Sequence, residues 1–365
     1  MENSFNSRLH VTTMRLLFFV LICFILIYAK TLLVPFAWAL MISLASAGLV
    51  EWIKAKTKLP FPLVVTLYMI VLFAAIGGIL VFFAIEFQVL LSDTEMMQDK
   101  LSIIMHDLSD KLRVVGFAIP DHIEPEYFKG ILKEHNSEIM NMASGLGSNV
   151  GNFFLIMIYT FFLLLSKDLM LRFSESRFGN DEEREKFKKL NRQIVEISQQ
   201  YIVGTFLMGF LVFVMSYLLF LAFGIKAALF FAVFFGILSL IPVIGVPLGM
   251  IVIALFAILT KDTISTAIYI SIALFILNFL QDNVFRPMVM GSKLAVNGFS
   301  VFFFVILGGF FWGISGMILF IPVASILKII LDRSEPGSHF SVFLSELPKP
   351  EKTNKKLFRF RKRGK

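Results

Sequence analysis

Apolar residues dominate this chain, and only a few polar runs interrupt them. A helix needs about 20 apolar residues to cross the hydrocarbon of a bilayer. By that measure the sequence predicts six single crossings, at residues 14–30, 32–52, 61–85, 149–166, 201–223 and 263–281. Two further apolar segments, 227–259 and 299–331, are too long for one crossing and carry Gly and Pro near their middles. We expect each to fold back as a hairpin, either spanning or re-entrant.

This pattern predicts an all-α, polytopic integral membrane protein with about eight transmembrane helices and hairpin-like broken segments in its C-terminal half. The composition supports the same class. Of the 365 residues, 57% are apolar and 16% are charged, whereas soluble domains carry about 25% charged residues.

Two polar runs separate the apolar segments. Residues 86–147 hold eleven acidic and five basic residues with apolar positions at helical spacing, which indicates a helical insert on the membrane surface or on a neighbouring subunit. Residues 167–200 hold eight basic and seven acidic residues. Their apolar stripe predicts a helix that starts near Asn180, lies along the interface and continues directly into the 201–223 crossing.

Basic residues in short loops set the orientation of membrane helices. The N-terminal residues, the 54–58 turn and the 167–192 segment fall on one side if the first four crossings alternate. We therefore expect both termini to be cytoplasmic and the acidic insert to be extracytoplasmic. The basic tail after Glu351 predicts attraction to anionic lipid, about 1 kcal/mol per basic residue; a disordered topogenic tail is the alternative. Nucleic acid is not an expected partner.

The strongest polar cluster is Asn278-Phe-Leu-Gln-Asp-Asn-Val-Phe-Arg-Pro287. On an α-helix, Asn278, Asp282 and Arg286 would share one face, and the last two could pair. A charged pair beside the hydrocarbon favours a functional polar lining, with Asp282 as a cation or proton site and Arg286 as its counter-ion or an anion contact. The alternative is the wet end of a span that Pro287 stops.

The helix breakers of the two long segments supply a second kind of candidate. Pro removes a backbone donor and Gly relaxes the turn, so carbonyls and amides could be freed to bind a solute; a plain turn is the alternative. The two segments also share a weak aromatic-Gly-Ile start and an Ile-Pro-Val end. The candidate pathway residues are Pro242, Gly245, Pro247, Gly249, Asn278, Gln281, Asp282, Asn283, Arg286, Pro287, Gly291, Gly309, Gly313, Gly316 and Pro322.

Sequence motifs for catalysis or metal binding are missing. Cys23 is the only cysteine, the five histidines are scattered, and the chain has no HExxH motif, P-loop or Gly-x-Ser-x-Gly elbow. We expect no enzyme activity, no cofactor and no metal site.

Several of these motifs resemble the autoinducer-2 exporter (AI-2E) family of permeases. The resemblance is carried by Tyr201-Ile-Val-Gly204, by the 241–249 hairpin, by Gln281 to Pro287 with Gly291, and by the Gly309–Gly316 run ahead of Ile-Pro-Val. It implies an inner-membrane transporter of about eight spans that forms a homo-oligomer. Family members are linked to export of a signalling furanone or to sodium/proton exchange. Many members carry Pro where this chain has Asn297-Gly298, so the substrate does not carry over.

Three hypotheses follow for function. The first is a secondary permease that exports a small polar solute or signalling molecule. The second is a cation (sodium)/proton antiporter that uses Asp282. The third, of another class, is a membrane scaffold that acts through its insert. The predicted organisation is a three-span unit at 1–91, the extracytoplasmic insert at 92–147, the fourth span with a cytoplasmic interfacial helix at 148–200, a transport core at 201–331 and the basic tail at 332–365.

Overall fold

A computed structural model describes residues 2–92, 150–260, 264–290, 296–334 and 339–345. Within these ranges every regular element is helical, which confirms the all-α class. The elements are α1 Glu2–Tyr28, α2 Lys30–Lys56, α3 Phe61–Ser92, α4 Val150–Leu165, α5 Lys167–Glu175, α6 Asp181–Ala222, α7 Ala228–Leu238, α8 Gly245–Thr260, α9 Ile264–Leu280, a π-helix Gln281–Phe285, α10 Arg286–Met290, α11 Gly298–Ser334 and α12 His339–Leu344. The predicted acidic insert lies outside the described residues.

Helices α2, α3 and α4 form a bundle. Ala29 alone separates α1 from α2, close to the predicted turn at Lys30. Helices α2, α3 and α4 share a core of buried side chains that includes Val50, Val65 and Leu164. An ion pair between Glu51 and Lys167 joins the end of α2 to the first residue of α5, just after α4. The C-terminal ends of α2 and α4 therefore lie on the same side, as alternating crossings require.

The charged segment before the fifth crossing differs from the expected helix along the interface. Helix α6 is a single helix of 42 residues, about 63 Å long. The Asn180 side chain caps it by accepting a hydrogen bond from the Glu182 amide at 3.1 Å, as the sequence predicted. Because one unbroken helix has one axis, its charged half projects beyond the membrane and does not lie along the interface. It is the preceding α5 that bends away, by 60° from α4.

The segment around residues 228–260 folds back on itself as predicted, and we call α7 and α8 the first hairpin. Its turn occupies residues 239–244, where Val243 takes a left-handed conformation with φ 69°. Gly245 is required there, since a Cβ atom would lie 1.7 Å from the Leu238 carbonyl oxygen. With 11 and 16 residues, its arms reach about 16 and 24 Å, less than the roughly 30 Å of hydrocarbon.

The second hairpin is formed by α11, whose arms are residues 298–312 and 314–334. The chain reverses at Gly313, where φ is 59° and ψ is −141°, a conformation that only glycine adopts without strain. The arms cross where Gly308 meets Gly316: a Cβ atom on either residue would lie within 2.2 Å of the other's carbonyl oxygen. This contact confirms the predicted hairpin.

The two hairpins enter the bundle from opposite sides. The Gln199 amide donates to the Leu44 carbonyl at 2.8 Å, so α6 runs from the C-terminal half of α2 back toward the α1–α2 turn. The first hairpin begins where α6 ends, on the side of that turn. The second hairpin has its tip there instead, because the Trp312 indole donates to the Leu26 carbonyl at 3.0 Å.

The predicted crossings all correspond to helices of the described chain. Six single helices match the six predicted crossings, and two hairpins match the two long segments. By length and apolar character alone, five described helices are long enough to cross: α2, α3, α6, α9 together with the π-helix and α10, and α11 counted along both of its arms. The bent pair of α4 and α5 would be a sixth, and the apolar part of α1 is shorter. The extensive exposed apolar surface of these helices fits contact with lipid.

Candidate functional site

The predicted polar segment does not form a regular α-helix. Residues Gln281–Phe285 form a π-helix, in which the Arg286 amide donates to the Gln281 carbonyl five residues back. Pro287 accounts for this turn: its ring would clash with the carbonyl four residues back in an α-helix, and the wider π turn relieves that clash. The helix continues to Met290, so the expectation that Pro287 stops it is wrong.

Asp282 and Arg286 form the predicted ion pair, with 2.9 Å between Oδ1 and Nη2. Both side chains are about half exposed, at 48% and 41%. The Asn283 side chain donates to the Phe279 carbonyl at 2.9 Å, and Asn278 is half-buried. The ion pair keeps Asp282 and Arg286, four residues apart, on one face of the helix, as predicted.

Polar side chains that are buried or half-buried lie on α6 and on the π segment and α10, which pack against it. Ser198, Tyr201 and Thr205 lie three and four residues apart and so share one face of α6. Helix α6 packs against both the π-helix, which holds the buried Gln281, and α10, which begins at Arg286. We call Ser198, Tyr201, Thr205, Gln281 and Arg286 the polar seam.

Each member of the polar seam carries a buried polar atom without a hydrogen-bond partner in the part of the chain that the structure describes. These atoms are Ser198 Oγ, Tyr201 Oη, Thr205 Oγ1, Gln281 Oε1 and Arg286 Nε. An unpaired buried polar group costs about 1–3 kcal/mol, and most such groups in proteins are paired. Five such atoms on three helical elements that pack together are an unusual concentration of unmet hydrogen-bonding capacity.

A cavity of about 20 Å³ lies beside Tyr201 and Thr205, and the surface that its wall exposes is apolar. Ile202 and Phe206 of α6 also belong to this wall. The rest of the wall comes from Trp38 and neighbouring residues of α2, from Leu240 in the turn of the first hairpin, and from Pro322 with its neighbours in the second hairpin. The tip of one hairpin and the arm of the other therefore meet at this face of α6.

The structure brings together only part of the predicted pathway set. Gln281, Arg286 and Pro322 lie at the seam or the cavity, whereas Asp282, Asn283 and Pro287 are exposed. Six residues serve the hairpins themselves: Pro242, Gly245, Pro247 and Gly249 in the first, Gly309 and Gly316 in the second. Gly313 forms the tip of the second hairpin. Gly291 lies outside the described residues.

Polar backbone groups in the turn of the first hairpin form hydrogen bonds with the hairpin's own backbone. The Ile241 amide donates to the Leu238 carbonyl at 2.9 Å, and the Gly245 amide to the Ile241 carbonyl at 3.1 Å. These bonds favour the plain-turn interpretation of the 241–249 motif. The weak repeat also fails structurally, since Pro242 lies in a turn whereas Pro322 lies inside a helix arm.

Sequence reasoning missed several polar residues of this region. The Trp38 indole donates to Ser315 Oγ at 3.1 Å and so ties α2 to the second hairpin. Lys328 is only 8% exposed and donates to Asp332 at 2.6 Å. A lone charge in the apolar 299–331 segment was a usable signal for Lys328. Thr205 and Ser315 resemble ordinary helix residues in the sequence, and only the packing distinguishes them.

The helices, the opposed hairpins and the polar seam define a multi-pass α-helical membrane protein with a polar site inside its C-terminal half. The chain belongs to the AI-2E transporter family: the family described as "AI-2E family transporter" matches residues 16–335. This match confirms the resemblance drawn from the motifs and makes the protein a membrane transporter.

Relatives from several bacteria agree. The AI-2 transport protein TqsA of Escherichia coli K12 is 22% identical over 327 residues, which cover 88% of this chain and 92% of TqsA. A Borreliella burgdorferi protein, named as an inferred transport protein, is 27% identical over 259 residues, 70% of this chain and 69% of its own. A Haemophilus influenzae protein with the same name is 22% identical over 355 residues, 95% of this chain and 99% of its own.

Proposed function

We propose that this transporter is a secondary permease that exports a small polar solute across the bacterial inner membrane, with both termini cytoplasmic. The polar seam is the observation that carries the proposal. Five buried polar atoms without partners within the described ranges, on α6, the π-helix and α10, are costly for stability alone. They become favourable when a polar solute supplies the missing hydrogen bonds during its passage.

The position of the seam supports a route through the C-terminal half. Two hairpins that enter from opposite sides meet beside Tyr201, and half-length helices of this kind often flank transporter sites. The hydroxyls of Tyr201 and Thr205 can donate or accept, Gln281 Oε1 accepts, and Arg286 donates. This set suits a solute that carries both hydroxyl and carbonyl groups. The relative TqsA is named an AI-2 transport protein, whereas the class of solute proposed here follows from the donor set.

Two further parts of the proposal rest on the sequence and the resemblance. The basic tail would hold anionic lipid on the cytoplasmic side, and the transporter would form a homo-oligomer in the membrane. Both lie beyond the contacts of the described chain. Blue-native electrophoresis of the full chain, with and without residues 346–365, tests them together.

Metabolite profiling of the culture medium tests the export proposal. We expect one or more polar solutes to rise in the medium on overexpression and to fall on deletion. Tyr201→Phe should reduce this efflux, and Tyr217→Phe on the same helix should not. A medium that is identical for deletion and overexpression strains would reject export.

Variants of the same protein distinguish the other two hypotheses from the permease. An antiporter that uses Asp282 would lose cation-dependent proton flux in proteoliposomes on Asp282→Asn, whereas the permease would show only altered solute efflux. A scaffold would lose function when residues 92–147 are deleted and would tolerate changes at Tyr201 and Arg286.

A further inference from the structure

Helix α5 presents an apolar face that no part of the described chain buries. Leu169, Met170 and Phe173 are 69%, 49% and 66% exposed. At 100° per residue they occupy one side of the helix, about 100° wide. Asp168 and Glu175 occupy the opposite side, and no residue of α5 is buried. A nine-residue helix with this division is amphipathic and unpartnered on its apolar side.

The connections of α5 fix where this face lies. It follows the α4 span after a 60° bend, which turns it away from the direction of the crossing. Lys167 at its start pairs with Glu51 near the end of α2. The neighbouring Trp52 is 55% exposed and carries Lys56 over its ring at 4.7 Å, an arrangement typical of the membrane–water interface. Helix α5 therefore begins at the level of the lipid headgroups.

The polar side of α5 faces the projecting half of α6. Glu175 lies 4.0 Å from Lys188 of α6, and the Phe178 ring lies 5.1 Å from Phe187. These contacts hold the acidic side inward. The apolar face is consequently directed away from the protein, with Lys167 and Arg172 at its two edges.

The charged residues near this apolar face indicate which molecule covers it. Arg172 on α5, Arg177 just after it and Lys54, Lys56 and Lys58 at the α2–α3 turn place exposed cations around one end of the helices. Phosphate groups of anionic phospholipids complement such a band, while acyl chains accept Leu169 and Phe173. We propose that α5 is a membrane-surface anchor that seats its apolar face in the headgroup–acyl boundary and gathers anionic phospholipid through Arg172 and its basic neighbours.

Fluorescence quenching in proteoliposomes tests the depth of α5. In a Cys23→Ser background, a bimane label is placed at Phe173→Cys on the apolar face or at Asp168→Cys on the polar face. We expect lipid brominated near the headgroup to quench the label at 173 at least threefold more than the label at 168, and aqueous iodide to show the reverse order. Equal quenching of the two positions overturns the proposal. Protection of position 173 from both quenchers, with disulfide cross-links between two copies, assigns the face to a neighbouring subunit and also overturns it.

A second arm tests the choice of lipid. Brominated phosphatidylglycerol and brominated phosphatidylcholine are compared at equal mole fraction with the label at 173. Arg172→Gln should lower the preference for phosphatidylglycerol by up to about fivefold. Lys189→Gln, the same loss of charge on the projecting part of α6, is the matched control and should leave the preference unchanged. No preference in the parent protein, or the same loss in both variants, overturns the lipid assignment.

Discussion

At the scale of single residues, the two parts of the Tyr201 side chain have different roles: the ring packs in the core and the hydroxyl serves transport. The residue is 6% exposed and belongs to a core cluster with Met41, Ile202 and Leu319. Its hydroxyl has no hydrogen-bond partner within the described ranges. The ring therefore contributes to stability by its apolar area, whereas the hydroxyl contributes nothing to stability that a phenylalanine would lack.

Tyr201→Phe should consequently leave the protein folded while transport falls. We expect the free energy of unfolding to stay the same or to rise, by up to about 1–3 kcal/mol, because an unpaired buried hydroxyl is removed and no hydrogen bond is lost. The thermal midpoint in detergent measures the first effect, and solute efflux from cells measures the second. Tyr217→Phe is the control, since Tyr217 stacks on Phe213 of the same helix, outside the seam. A drop in stability without any change in efflux would give Tyr201 a structural role only.

The sequence predicted residue roles unevenly. It identified the Asp282–Arg286 pair because charges are rare in apolar segments. It could not identify Thr205 or Ser315, because a hydroxyl inside a helix usually bonds its own backbone, as Thr160 does at 2.7 Å. Only the packing of α6 against the π-helix makes the Thr205 hydroxyl exceptional.

At the scale of elements, the second hairpin depends on a backbone crossing that admits no side chain. Gly308→Ala would place a Cβ atom 2.2 Å from the Gly316 carbonyl oxygen, and backbone cannot move aside without parting the arms. We expect a loss of at least about 2 kcal/mol, seen as a lowered thermal midpoint or as loss of monodisperse protein.

Alanine substitutions at two other glycines are the controls for that experiment. Gly309→Ala meets the flexible end of Met317 at 2.8 Å and should cost much less. Gly77→Ala in α3 meets open space and should stabilise by about 0.5–1 kcal/mol. Similar midpoints for the 308 and 309 variants would contradict the crossing.

The π-helix leads to a second prediction at this scale: the effects of two changes on stability should be coupled. Deleting Val284 alone restores α-helical spacing but forces the Pro287 ring against a carbonyl, at a cost of about 3 kcal/mol. Adding Pro287→Ala should recover most of that loss. The thermal midpoints of the two single variants and the double variant form the cycle. Deleting Phe275 from the regular part of α9 is the control, and Pro287→Ala should not rescue it. Equal effects of the Val284 deletion in both backgrounds would contradict this explanation of the π turn.

The existence of the hairpins could be predicted, but their turns could not. A 33-residue apolar segment exceeds one crossing, and Gly or Pro near its middle permits reversal. This stretch holds four glycines, however: Gly308, Gly309, Gly313 and Gly316. Gly313 is the tip because Gly308 and Gly316 approach each other closely. The π turn was likewise beyond the sequence pattern, since Pro287 also suits the end of a helix.

At the scale of the whole molecule, hydropathy counts crossings but does not orient the hairpins. Their opposite entry follows from contacts between distant segments, such as the bond from Trp312 to the Leu26 carbonyl and the packing of Gly236 against Gly209. Bonds from the Asn297 side chain to the Phe343 and Ser345 carbonyls, at 2.6 and 2.9 Å, bring α12 back to the start of the second hairpin. Both ends of that hairpin therefore lie on one side of the membrane.

Single cysteines in a Cys23→Ser background test this arrangement. Lys226→Cys marks the base of the first hairpin, Gly298→Cys the base of the second, and Lys56→Cys the end of α2; Lys226, Gly298 and Lys56 are exposed. A membrane-impermeant maleimide should label positions 56 and 298 in inside-out vesicles and position 226 in right-side-out vesicles, because the hairpins enter from opposite sides and basic loops stay cytoplasmic. Labelling of 226 and 298 from the same side would contradict the opposed hairpins. Complete reversal of all three would keep the fold and invert its orientation in the membrane.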